Sequence, residues 1–165
     1  MHGVVRPAEG SEARIRNDLY LVGALKLIFS QKIHVDIRLI GYEVPLQSGK
    51  PRGKCIDLFG YDAEHNPYII EIKTGESKEK LPEVIQQING YESMLIPLLD
   101  DIEKEIKNKL FLAEFKLTRK VKKIILASRE YYDENPWKAY KDSDILFCYF
   151  YVKENVDDLL EKATG

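Results

Sequence analysis

At 165 residues the chain suits a single domain over 1–165 with a sizeable core, and excludes a catalytic domain joined to a full recognition domain. A composition 44% hydrophobic and 32% charged excludes a disordered chain. The formal net charge of -2 means that a polyanionic partner would need a local basic patch.

Ser11 followed by "EARIRNDLYLVGALKLIF" predicts a capped amphipathic helix over 12–29, with Ile15, Leu19, Val22, Leu25 and Leu27 on its apolar face. "HVDIRLIGYEVPL" (34–46) is strand-like and "QSGKPRGK" (47–54) is a Gly/Pro loop. "KCIDLFGYD" and "PYIIEIKTG" read as two strands joined by the polar turn "AEHN", a hairpin. A helix follows over "KEKLPEVIQQINGYESMLI", with Pro82 early, where a helix tolerates it. Pro97 marks a kink or break before a charged helix, "LLDDIEKEIKNKLF". "VKKIILAS" is a further strand, Asn135 and Pro136 suit the N-cap and first position of a short helix through "WKAYK", "DILFCYFYV" is the last strand, and a short helix closes the chain. The order αβββαα(?)βαβα describes an α/β protein with a mixed sheet flanked by helices.

Cys55 and Cys148 each sit in an apolar run and read as reduced core residues, not as a disulfide or zinc framework, which fits a cytoplasmic protein. "MHGVVRPAEG" has no apolar signal core, and "YLVGALKLIF" is short and interrupted by Lys26. Neither an export signal nor a membrane span is expected.

Asp57 lies between Ile56 and Leu58, and Glu71 between Ile70 and Ile72 with Lys73 two residues on. Carboxylates in apolar strands need partners. Side chains alternate along a strand, so Glu71 and Lys73 share a face. A hairpin centred on Glu64 would place Asp57 opposite Glu71, with side-chain roots roughly 5 Å apart, and a one-residue slip would break that opposition. Carboxylates so close repel each other unless a divalent cation lies between them or one holds a proton. Asp and Glu oxygens suit Mg²⁺ or Mn²⁺, and Lys73 beside such a site can orient an attacking water and offset charge developing on phosphorus. The other reading of the same residues is an ion pair in which Lys73 neutralises Glu71 or Asp57.

With Asp57, then Glu71-x-Lys73 on the next strand, then a helix, the sequence resembles the PD-(D/E)XK nuclease superfamily from roughly the first helix to the strand at 122–128. "CID" stands where that family has "PD". The resemblance implies a restriction-endonuclease-like fold, a mixed central β-sheet flanked by α-helices with an αβββαβ core. It also implies metal ligation by Asp57, Glu71 and the backbone carbonyl of Ile72, with Lys73 as the catalytic lysine. "QQINGY" places Gln87 and Tyr91 on one helix face and resembles the Gln-x-x-x-Tyr motif of the RecB-like branch, where these side chains position nucleic acid and support the metal site. An acidic residue before the aspartate strand is common in related nucleases. Glu43 in "GYEVPL" is the candidate to complete the metal site, and Glu12, which a helix-capping role explains as well, is the weaker one.

Two basic clusters are available to a phosphate backbone: Lys50, Arg52 and Lys54 before the Asp57 strand, and Lys116, Arg119, Lys120, Lys122 and Lys123 before the "KKIILAS" strand. The first adjoins the candidate site in sequence and is the better phosphate contact; the second reads as an exposed face. "FCYFY" has strand spacing and belongs to the core, and Trp137 is expected to pack against the sheet. No helix-turn-helix, zinc finger or phosphate-binding Gly loop is apparent.

The expected function is a Mg²⁺- or Mn²⁺-dependent nuclease acting on DNA, with room for a homodimer or a partner subunit that supplies specificity. The alternatives are a noncatalytic nucleic-acid-binding or subunit member of the same fold, and a structural or protein-interaction domain with an internal ion-pair network. The metal reading expects Asp57→Ala or Glu71→Ala to leave the metal-free fold unchanged or stabilised; the ion-pair reading expects losses on the order of 3–5 kcal/mol.

Overall fold

A computed structural model describes residues 11–30, 33–47 and 54–149. The closing helix expected at the C-terminus, and Lys50 and Arg52 of the first basic cluster, lie outside them.

Ser11 caps helix α1 (Glu12–Val22), its Oγ accepting from the Arg14 N–H. The helix ends seven residues before the expected limit. Gly23 adopts φ 74° and donates its N–H to the Leu19 carbonyl, a left-handed C-cap that glycine reaches without the Cβ clash of other residues. The rest of the predicted helix is strand β1 (Ala24–Ser30). In "ALKLI" Leu25 and Leu27 alternate with exposed Lys26, so the apolar spacing that extends a helical stripe past Gly23 also satisfies a strand.

Strand β2 (Ile33–Pro45) pairs antiparallel with β1, and β3 (Cys55–Tyr61) with β2. Strand β4 (Pro67–Lys73) closes the predicted hairpin. Leu58 faces Ile70, Phe59 faces Ile69, Gly60 faces Tyr68 and Tyr61 faces Pro67, the register centred on Glu64. Asp62 fixes the turn, its Oδ1 accepting from the Glu64 and Asn66 N–H groups, both at 2.9 Å. Short polar side chains that bond to nearby backbone in this way favour turns over regular structure.

Helix α2 (Leu81–Leu95), a 3₁₀ turn at Ile96–Leu98 containing Pro97, and helix α3 (Leu99–Leu110) carry the chain over the sheet to β5 (Lys122–Ala127), parallel to β4. Ser128 caps an unpredicted helix, α4 (Arg129–Glu134). Asn135 therefore lies at the C-terminal end of α4, not at the start of the next helix, and Pro136 precedes a 3₁₀ turn at Trp137–Tyr140. The Asn135 side chain caps a different element, accepting from the Leu81 N–H at the start of α2 while donating to the Tyr131 carbonyl. Strand β6 (Ile145–Tyr149) is parallel to β5.

The result is a mixed α/β fold whose six strands lie side by side in chain order. One face packs Phe59, Ile69 and Ile125 against Val84, Ile88, Leu95 and Leu99 of α2 and α3. The other packs Leu39, Leu58, Ile70, Ile72 and Ile124 with Ile15 and Leu19 of α1 nearby. Each fully buried aliphatic side chain contributes about 1.5–3 kcal/mol relative to exposure. Trp137 packs on Phe147 of β6, the rings stacked at 6.0 Å. Cys55 and Cys148 are thiols, and burial pushes Cys148 up to about 11. Among the described residues no helix is long and apolar enough to cross a membrane.

Candidate active site

Strand β4 has neighbours on both sides and is buried along its whole length. Its Ile70 and Ile72 fill the core on the α1 side, which leaves Glu71 and Lys73 to the α2 side. Both are nearly inaccessible, at 3% and 4% exposure, so neither can hold its charge by hydration. Lys73 Nζ donates to Glu71 Oε1 at 3.1 Å and pairs with Glu79 Oε2 at 2.6 Å. From α2, Gln87 Nε2 donates to Glu71 Oε1 at 3.3 Å and to the Tyr91 hydroxyl. Of the i, i+4 pair singled out by its spacing, Gln87 thus reaches Glu71 and Tyr91 reaches Gln87. The second Glu71 oxygen, Oε2, is buried with no hydrogen-bond partner among the described residues.

Asp57, near the start of β3, bridges from the hairpin to α1. Its Oδ2 accepts the Ile72 N–H at 2.9 Å and its Oδ1 takes Arg16 Nη1 at 2.6 Å. The Ile72 backbone anticipated as a metal ligand through its carbonyl therefore also orients Asp57 through its N–H. Arg16 Nη2 reaches Glu43 Oε1 at 2.7 Å, and the guanidinium lies 5.2 Å from the Tyr42 ring centre, within cation–π range. Glu43 sits between Tyr42 and Val44, whose partners across the ladder are Leu58 and Ile56. It adopts φ 46°, a left-handed conformation that costs a non-glycine residue about 1–2 kcal/mol.

Glu12, at the start of α1, accepts from the Ser77 hydroxyl, and that oxygen accepts from the Thr74 N–H at 2.8 Å. The turn after β4 is thereby tied to α1. A cleft of about 480 Å³ opens here, with Glu12, Arg16, Thr74, Ser77 and Glu79 among its lining residues. A larger cavity, about 760 Å³, lies by the β3–β4 turn against Tyr61, His65 and Phe115 and shares no residue with this cluster.

The charges do not balance: Glu12, Glu43, Asp57, Glu71 and Glu79 gather around Arg16 and Lys73. Burial, and then the nearby Asp57 carboxylate, raise the Glu71 carboxyl well above the ordinary range against the opposing pull of Lys73. Burial alone would lower Lys73, but Glu71, Glu79 and Glu12 outweigh it and raise its pKa. Burial raises the Tyr91 hydroxyl, with Gln87 opposing. Among the described residues no group of three or more His, Cys, Asp or Glu side chains is arranged to hold a metal ion. The anticipated ligand set uses the two carboxylates of Asp57 and Glu71 with a backbone carbonyl, and Glu43 is turned instead to Arg16.

Sequence reasoning missed Arg16, Glu79 and Ser77. Arg16 carried one signal, its position one turn after Glu12 and next to apolar Ile15; its partners 27 and 41 residues away left none. Of the basic clusters, Lys54 is exposed just before β3. The second does not form one face. Arg119 pairs with Asp100, and Lys123, 3% exposed, bonds to Asn89, Glu92 and Asp144. Lys123 faces Ile69 and Lys122 faces Tyr68, two and three residues along β4 from Glu71, or about 7 and 10 Å at roughly 3.3 Å per residue. No protein-family model, curated protein or solved structure matches the chain.

Proposed function

We propose that the protein is a divalent-metal-dependent nuclease of the PD-(D/E)XK type, of the RecB-like branch, that hydrolyses phosphodiester bonds of DNA. The observation that carries this reading is the buried Glu71 Oε2 near Asp57, without a partner among the described residues, in a cluster with more carboxylates than cations. An oxygen-rich, electron-rich pocket of this kind suits Mg²⁺ or Mn²⁺. Asp57 and Glu71 would hold the ion, with the Ile72 carbonyl as a further oxygen donor. When bound, it supplies Lewis acidity that activates water and polarises a phosphate.

The chain's own residues do the rest. Lys73 keeps its proton, because the carboxylates around it raise its pKa, and serves as a fixed positive charge that orients water and offsets charge developing on phosphate oxygen. Gln87 fixes Glu71 through Nε2 and is itself positioned against Tyr91. Ile72 fixes Asp57 through its N–H. Glu79, about half exposed, must yield Lys73 to the substrate for this role to operate.

The test is cleavage of labelled single-stranded, duplex and branched DNA with Mg²⁺, Mn²⁺ or EDTA, comparing the protein with Lys73→Ala. Metal-dependent cutting that falls at least about a hundredfold in the variant is expected, the lower end of what removing one transition-state donor costs. Absence of cutting by the parent protein on every substrate would remove the assignment.

A second reading has its own support. Arg16 with Asp57 and Glu43, and Lys73 with Glu71 and Glu79, form ion pairs without any metal. They favour a noncatalytic member of the fold or a structural domain if the protein has no affinity for divalent ions.

A further inference from the structure

Arg16 holds the Asp57 oxygen that a divalent ion would need. Its Nη1 lies 2.6 Å from Asp57 Oδ1, and the other Asp57 oxygen is already used by the Ile72 N–H. The guanidinium is not fully satisfied there, since Nε is buried without a hydrogen-bond partner among the described residues. Near Asp57, Glu71 Oε2 is a buried acceptor without a donor among the described residues. Each of the two groups thus has a buried polar atom without a partner among the described residues, and a buried polar group left unpaired is costly. Arg16 also has a second anchor: Glu43, on the β2 position between the partners of Leu58 and Ile56 and 48% exposed, takes Nη2 at 2.7 Å.

We propose that Arg16 is a place-holding cation: in the metal-free protein its guanidinium bridges Asp57 and Glu43, and a divalent ion binding to Asp57 and Glu71 displaces it from Asp57 while Glu43 retains it. This rests on the metal-dependent reading above and assigns Arg16 a positioning role that neither its helix nor the Glu71-x-Lys73 pattern announces. The exchange is one of charge partners only. Asp57 loses one cation and gains another, Glu71 Oε2 gains the partner it lacks, and Arg16 keeps a carboxylate.

A purely structural Arg16 and a place-holding one differ in how their loss responds to metal. If Arg16 stays on Asp57 throughout, Arg16→Gln lowers the melting temperature by the same amount with and without the ion. If the ion displaces it, the deficit is large in EDTA and shrinks in saturating Mn²⁺, and by thermodynamic linkage the variant binds Mn²⁺ more tightly. Thermal melts in EDTA and in Mn²⁺, with calorimetric Mn²⁺ titration, test this on the parent protein, Arg16→Gln, Arg16→Lys and Glu71→Gln. The expected result is a metal-dependent melting deficit in Arg16→Gln with affinity about tenfold tighter, the scale of outer-shell effects on metal sites, and weakened binding in Glu71→Gln. Equal deficits in both conditions with unchanged affinity would overturn the place-holding role and leave the metal site standing. No Mn²⁺ binding by the parent, or binding unaffected by Glu71→Gln, would remove the metal reading and this inference with it. Should Arg16→Gln fail to fold in both conditions, Arg16→Lys, which keeps the charge but not the fork, decides by the same two criteria.

Discussion

Asp57 and Glu71 leave different things behind when removed. Asp57 holds Arg16 and the Ile72 N–H, so Asp57→Ala strands a largely buried guanidinium and a backbone donor. A loss on the order of 3 kcal/mol is expected in urea unfolding without metal, and sequence reasoning that expected no loss at this position lacked sight of Arg16. Glu71 is the discriminating residue. Glu71→Gln removes the like-charge neighbour of Asp57 and leaves Lys73 paired with Glu79. In EDTA this variant is expected to match or exceed the parent in stability, whereas a loss comparable to that of Asp57→Ala would favour a structural ion pair. The effect of pH has a definite sign. Facing Asp57, Lys73, Glu79, Gln87 and Tyr91, the folded Glu71 carboxyl keeps its proton above its ordinary value of 4.5, burial being the largest cause. Folding therefore takes up a proton in the window from that value to the raised one. The contribution of Glu71 to stability falls as pH rises through it. Melting temperatures followed from about pH 5 to pH 8 in EDTA should fall more in the parent than in Glu71→Gln, and equal slopes would refute the perturbed carboxyl.

Among the elements, the β3–β4 hairpin was the most legible. A short polar turn between two apolar runs fixes both register and facing, and the observed pairs follow the centre at Glu64. The Gln87 and Tyr91 pair was also readable, because four residues on a helix define a face and the facing partner, Glu71, lies on the preceding strand. The boundary between α1 and β1 was not. Leucines at 25 and 27 fit either period over so short a run, and only the backbone of Gly23 decides between them. Gly23→Ala leaves open space around the added Cβ but imposes a strained φ of 74°, so a loss of about 1–2 kcal/mol is expected, measurable by urea unfolding. A neutral result would mean that α1 can end without a left-handed residue. Asn135 gives a similar case. Its sequence position beside Pro136 suggested a cap for the following turn, yet its amide reaches the start of α2, 54 residues away, a contact no local pattern encodes.

At the scale of the molecule, the α/β class and the mixed sheet followed from the order of strands and helices, while β1, read as the end of a helix, adds a sixth strand to the five expected. The electrostatics were less legible, since composition counts charges without saying where they meet. Cations that looked like a basic face before β5 are divided between a buried site, Lys123, and a surface pair, Arg119. Conversely, Glu12, Glu43, Asp57, Glu71 and Glu79 are scattered over 68 positions of the sequence and converge only in the fold.

Neighbouring strands in the sheet are also neighbours in the chain, and this bears on the order in which the protein forms. The antiparallel strands from β1 to β4 close through short sequence separations, so the loop-closure entropy of each step is small. The parallel pairing of β4 with β5 must wait for the crossover through α2 and α3, a longer closure. Asp57, Glu71 and Lys73 all belong to the early half, together with Arg16. Lys73 stands two residues from Glu71 and meets it as β4 forms, whereas Gln87 reaches Glu71 across 16 residues and Arg16 reaches Asp57 across 41, so Lys73 is the first cation to shield the acidic cluster while it is still open to water.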